Sequence, residues 1–159
     1  MKAIVTGSFD PITLGHIHLV MKACEQFEQV FVVALNNETK EYMFNLDERK
    51  KLIEVSLKGV NNVIVDAYDG YTSDYMHKYD INYIVRGIRN ETDREYEKKL
   101  AEIMKSFDEN FETVFYDCSD EYKDLSSTLV KERIKKNLQL DGFLHPDAVL
   151  LIEKKKKCF

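Results

Sequence analysis

The ten residues GSFDPITLGH (7–16) gather two glycines, a proline, a hydroxyl, a carboxylate and a histidine directly after a β-branched apolar run. Such a mixture is poor packing material and suits the holding of an anion. Gly7 frees the backbone for a sharp turn and for close approach of a ligand, and Asp10–Pro11 is turn chemistry. Gly15 and His16 open a helix, whose first N–H groups and dipole favour negative charge. His16 then offers an imidazole donor to that charge, and Ser8 a hydroxyl. The bland alternative is a connecting loop with a helix-capping histidine.

Two further stretches carry comparable chemistry. In RGIRNETDREYE (86–97), Arg86 and Arg89 flank a turn beside Gly87. Two guanidiniums there suit bidentate phosphate binding, or else ion pairs with the acidic residues that follow. In SSTLVKE (126–132), Ser126, Ser127 and Thr128 stand at a helix start. They serve either as caps or as donors around an anion. Three anion-binding segments at three strand ends imply a polyphosphate ligand.

The elements that must position these segments are legible as alternation. AIVT (3–6), VFVVAL (30–35), VIVDA (63–67), YIVRG (83–87) and TVFYD (113–117) read as strands separated by helical spacing. The pattern predicts an α/β fold, a doubly wound five-stranded parallel sheet buried on both faces. Ligands in such sheets bind beyond the carboxyl ends of the strands, where strand order reverses. A first helix is expected from about Gly15, with Ile17, Val20, Met21, Cys24 and Phe27 on one side. Asn45 with Glu48 predicts the cap of a second helix carrying Leu52, Ile53 and Leu57. Thr92 with Glu95 predicts a third, running to about Lys105. With no repeat or linker in 159 residues, the chain reads as a single domain, 1–159.

Composition limits the partners. A net charge of −5 argues against a general nucleic-acid binder, which needs a basic face. The nine Tyr and nine Phe read as core or interface. Cys24, Cys118 and Cys158 lack the close spacing of a zinc site or disulfide framework. MKAIVTG enters a strand at once, and no apolar run approaches the roughly 18 residues of a membrane span. The expectation is a cytoplasmic protein without membrane or nucleic-acid partners. Lys154 to Lys157 read as a solvated chain end beside a helix C-terminus. His18, His77 and His145 read as surface residues.

With AIVTGSFDPITLGH, FNLDERKKLI, YIVRGIRNETDREYE, SSTLVKE and GFLHPDAV in view, the chain resembles the nucleotidyltransferase superfamily, and within it the bacterial phosphopantetheine adenylyltransferases. Thr13, where many superfamily members carry a first histidine, marks that form together with RGIR and SSTLVKE. The resemblance implies a Rossmann-like nucleotidyltransferase fold and transfer of AMP from ATP to 4′-phosphopantetheine. It also implies Mg²⁺, a homohexamer, and coenzyme A as a possible feedback ligand.

Residue by residue, the resemblance gives His16 the α-phosphate of ATP and Ser8 a contact to both substrates. Lys40 and Arg86 match residues binding the phosphopantetheine phosphate, and Thr72 a contact to the pantetheine arm. Phe9, Gly87, Ile88, Arg89 and Glu97 match ATP contacts. So does the segment Tyr122, Lys123, Asp124, Leu125, Ser126, Ser127, Thr128, which closes on ATP. Asp10 divides between a Mg²⁺ ligand and a turn residue, so no metal ligand is named. The chain departs from the family at Val5-Thr6 (usually Tyr-Pro), Glu41, Met104-Lys105 (often Asn-Arg) and YKDLSST. Rival readings are a nucleotidyltransferase acting on nicotinate mononucleotide or glycerol 3-phosphate, and a non-catalytic nucleotide or coenzyme A sensor.

Overall fold

In the computed structural model, which describes residues 1–157, all five expected strands form: β1 (Lys2–Gly7), β2 (Gln29–Leu35), β3 (Val63–Tyr68), β4 (Tyr83–Ile88) and β5 (Glu112–Asp117). They make one parallel sheet in the order β3-β2-β1-β4-β5. The chain winds outward from β1 in one direction and restarts beside β1 in the other, so the reversal lies between β1 and β4.

Alternate side chains divide between the faces, as the period of a strand requires. Ala3, Val5, Val30, Val32 and Val85 enter one core with α1 (Leu14–Gln26), α2 (Leu46–Ser56), α5 (Ser127–Lys135) and α6 (Pro146–Lys156). Ile4, Phe31, Val33 and Ile84 enter the other with α3 (Thr72–Tyr79) and Met104 of α4 (Glu91–Phe107). Both faces are covered, which is why the strands read as nearly continuous apolar runs.

The helix starts follow local capping chemistry. At α2 the Asn45 side chain accepts from Glu48 N at 2.8 Å and the Glu48 side chain accepts from Asn45 N at 3.2 Å, the expected box. At α1 the cap is Thr13, and the helix starts at Leu14, one residue before the expected Gly15. The α4 cap differs from the expectation: Asn90, not Thr92, accepts from Asp93 N at 2.8 Å, and the helix runs on to Phe107. Two overlapping cap patterns lie in NETDRE, and the earlier one lengthens the helix by two residues at its start.

On α1 the inward stripe is Ile17, Val20, Ala23, Cys24 and Phe27, while Met21 is 41% exposed. Met21 lies about 100° around the helix from Val20, off that stripe. The lysine run forms the last turn of α6, with Lys155 bonded to Glu48 of α2; Cys158 lies outside the described residues. No described helix is long and apolar enough to cross a membrane.

Candidate active site

The carboxyl ends of β1, β4 and β5 open around a cavity of about 430 Å³ at the point of strand-order reversal. It is lined by the loop after β1, the turn after β4 and the start of α5. The three segments singled out by their chemistry therefore share one cavity.

His16 sits on the first turn of α1. Its Nδ1 accepts from Thr13 N at 3.0 Å, while Thr13 Oγ1 accepts from His16 N at 3.3 Å. An Nδ1 that accepts a backbone N–H carries no proton, so the neutral ring holds its hydrogen on Nε2. Burial, then the charges of Arg89 and Arg86, push the pKa of His16 down to about 4. At neutral pH it is a fixed, uncharged N–H donor, unsuited to act as a general acid. The edge of the Phe9 ring braces it, centroids 5.2 Å apart. Phe9 itself adopts φ 47°, so the sharp turn expected of Gly7 falls on Phe9. The start of α1 is also less open than expected. Leu14 N donates to Phe143 O and His16 N to Thr13 Oγ1, leaving Gly15 N without such a bond among the described residues.

Arg86 and Glu97 form one unit rather than two independent contacts. Arg86 Nε and Nη2 each donate to a Glu97 oxygen at 2.8 Å, and Nη1 reaches Thr6 O at 3.3 Å. The fork is thus filled by a carboxylate, and the arginine is held in place against the end of β1. Arg89 is more exposed and bonds Asp93 through its N and Nε at 3.1 and 3.2 Å. Gly87 keeps the floor low: a Cβ there would stand 3.4 Å from Leu19 Cδ2. The Ile88 side chain is buried away from the cavity, and its carbonyl accepts from Cys118 N at 2.7 Å.

The α5 side of the cavity is made by Tyr122, Leu125, Ser126 and Ser127; Lys123, Asp124 and Thr128 are exposed outside its lining. Ser126 caps α5, accepting from Leu129 N at 3.1 Å, and Ser127 Oγ donates to Pro11 O at 2.8 Å. The hydroxyls thus hold the helix start against the first loop, and its backbone N–H groups are what it presents to an anion.

Ser8, Lys40 and Thr72 lie on the β2–β3 side, outside the cavity lining. Lys40 Nζ is 3.5 Å from Ser8 Oγ, which joins two residues 32 apart in sequence. Thr72 is the first residue of α3, and no side-chain hydrogen bond ties it to either. Asp10 is a structural carboxylate. Buried at 2% exposure, it accepts from Met43 N and Phe44 N at 2.9 Å each and from Lys131 Nζ at 3.3 Å. Among the described residues no three His, Cys, Asp or Glu side chains group as a metal site.

Two further residues border the site: His18, expected at the surface, and Arg49, which nothing in the sequence motifs singled out. His18 lines the cavity instead of the surface, its ring 5.5 Å from Tyr122, with Nε2 buried and unpartnered among the described residues. Arg49, 1% exposed, lies beneath the first loop and bonds three carbonyls. A signal for it existed: with Leu52, Ile53 and Ser56 it occupies i, i+3, i+4 and i+7 on the buried face of α2. Of the other histidines, His77 bonds Asp108 at 2.9 Å and His145 caps α6.

Comparison with known proteins gives the family. The cytidylyltransferase-like family matches residues 4–133. A Staphylococcus haemolyticus protein named phosphopantetheine adenylyltransferase is 36% identical over 156 residues, 98% of this chain and 97% of that one. A Thermotoga neapolitana protein of the same name is 37% identical over 157 residues, 99% and 98% of the two chains. The chain belongs to the phosphopantetheine adenylyltransferase family. A solved Vibrio parahaemolyticus structure, provisionally named a nicotinate-nucleotide adenylyltransferase, superposes with a TM-score of 0.72 at 17% identity, covering 96% of this chain and 91% of that one. At that identity it shows the shared Rossmann-like fold. Family membership makes the chain a nucleotidyltransferase.

Proposed function

We propose that the protein transfers AMP from ATP to 4′-phosphopantetheine, giving dephospho-coenzyme A and pyrophosphate, in the synthesis of coenzyme A. Beside the family match, one observation supports this most strongly. A neutral imidazole donor is held on the first turn of α1, flanked by the charges of Arg86 and Arg89. That arrangement suits a phosphoryl group gaining charge, and it supplies no base.

None is needed. The acceptor phosphate is already an anion, so one of its oxygens attacks the α-phosphorus directly while the bond to the bridging oxygen of pyrophosphate breaks. Catalysis then rests on alignment and on neutralising charge. Lys40 and Ser8 hold the attacking phosphate, with Thr72 toward the pantetheine arm. Arg86, clamped by Glu97, contributes charge from behind. His16 Nε2 and Gly15 N donate to the α-phosphoryl oxygens. Arg89 and the N–H groups of Ser127 and Thr128 receive the leaving pyrophosphate, and Phe9, Gly87, Tyr122 and Leu125 enclose the nucleoside.

Mg²⁺ belongs to this reading as a companion of the ATP phosphates. Asp10 is engaged and no described protein cage fits the ion, so no step is assigned to it. The use of ATP fits a cytoplasmic enzyme. The exposed stripe Tyr96, Ile103 and Phe107 along α4 supports a homo-oligomer; six copies, and coenzyme A as a feedback ligand, are what the family resemblance adds to this reading.

Isotope tracing tests the reaction. Label in the α-phosphate of ATP is expected in dephospho-coenzyme A, and label in the γ-phosphate in pyrophosphate. Transfer of γ-label to the acceptor would make the protein a kinase and overturn the proposal.

A further inference from the structure

The loop that carries Lys40 is exposed, yet its two ends converge on one buried side chain. Arg49 Nη1 donates to Leu35 O at 2.9 Å and Nη2 bonds Asn36 Oδ1, which fixes the loop's start. Arg49 Nε donates to Phe44 O at 3.1 Å, which fixes its end. The guanidinium also lies 3.9 Å from the centre of the Tyr42 ring, and the Tyr42 hydroxyl accepts from Asn37 N at 2.6 Å. A second Nη1 bond, to Ser8 O at 2.9 Å, ties the same group to the first loop.

No carboxylate touches this arginine among the described residues. Its donors go to backbone carbonyls, a side-chain amide and an aromatic face. Burying a guanidinium is costly, and a partnership made only of neutral acceptors is not the cheapest way to stabilise a helix. What the arrangement does achieve is geometric: three loop segments distant in sequence are locked to one rigid planar fork. Asp10 grips the same strip through Met43 N and Phe44 N.

We propose that Arg49 is a positioning residue for the acceptor phosphate, setting the separation of Lys40 and Ser8 by closing the base of the 37–42 loop through Tyr42. The proposal rests on the reading of Lys40 and Ser8 as the acceptor site. Arg49 touches neither substrate; it acts through the loop.

The test is steady-state kinetics of pyrophosphate release by R49K, R49M and Y42F beside the wild type, varying ATP and 4′-phosphopantetheine in turn, with a thermal melt of each. In R49M the KM for phosphopantetheine is expected to rise roughly tenfold or more while the KM for ATP stays within about twofold. R49K should recover part of the loss. Y42F, which removes one exposed acceptor, should show the same one-sided rise, smaller, with little change in melting temperature. Equal movement of both KM values, or melting losses with unchanged KM values, would overturn the proposal. If R49M does not fold, Y42F decides: an unchanged phosphopantetheine KM contradicts it. A wild type that is inactive with phosphopantetheine, but active with another acceptor, would instead overturn the substrate reading, a distinguishable failure.

Discussion

The two halves of the site are built in opposite ways. On the β4–β5 side the groups surround a cavity, and each donor is fixed by a neighbour: His16 by Thr13, Arg86 by Glu97, Ser127 by Pro11. On the β2–β3 side Lys40, on an exposed loop, and Ser8, on the first loop, are linked only at 3.5 Å, and their order comes from Arg49 and Asp10 underneath. The enclosed half is preorganised by contacts within the site. The open half is preorganised from beneath it, which leaves room for a large acceptor to enter and leave.

Substitutions should separate these halves. The largest effect is expected on the enclosed side: His16→Ala should lower kcat about 10²–10³-fold, the usual loss for one transition-state donor, while the melting temperature falls little. A variant with near-normal turnover would remove His16 from the chemistry. Next comes the carboxylate that joins the halves. Asp10→Ala leaves Met43 N, Phe44 N and Lys131 without their acceptor and should cost about 1–3 kcal/mol of stability in a denaturant titration. An unchanged midpoint would mean that the strip 43–44 holds itself.

Lys40→Met, on the open side, should raise the KM for phosphopantetheine about tenfold and leave ATP unaffected. An equal rise for ATP would erase the division.

The last effect concerns pH. His16 takes a proton near 6.5 when unfolded and near 4 when folded, so between these values the unfolded chain binds more protons. The stability this group contributes is complete above about pH 6.5 and declines as pH falls toward 4. Its imidazole NMR signals should not shift between pH 8 and 6, and a midpoint near 6.5 would show a solvated ring.

Legibility in the sequence followed the range of the interactions. The five strands were readable because each is an apolar run by itself, and the Asn45–Glu48 box because both partners lie within one turn. The three segments around residues 7–16, 86–97 and 126–132 were readable as chemistry, and the sheet alone brought them to one edge. Helix α3 was not readable: eight residues, no side-chain cap, and only Tyr75 and Met76 as apolar buried positions. Arg49 hid among charged neighbours in DERKK, since its acceptors come from residues 8, 35, 36 and 44. His18 read as surface because Tyr122, which covers it, arrives about a hundred residues later. Ion pairs between the two arginines and the acidic residues after them were one of the two readings of RGIRNETDREYE, and both form, but which partner Arg86 takes was not readable. Only the geometry of β4 against α4 joins it to Glu97.

The most direct test of the account is pyrophosphate release from MgATP in the presence of 4′-phosphopantetheine, nicotinate mononucleotide or glycerol 3-phosphate. Release that depends on phosphopantetheine alone is the predicted result. Release with one of the other acceptors would contradict the open half as described, and ATP binding without release under all three would contradict an enzymatic role.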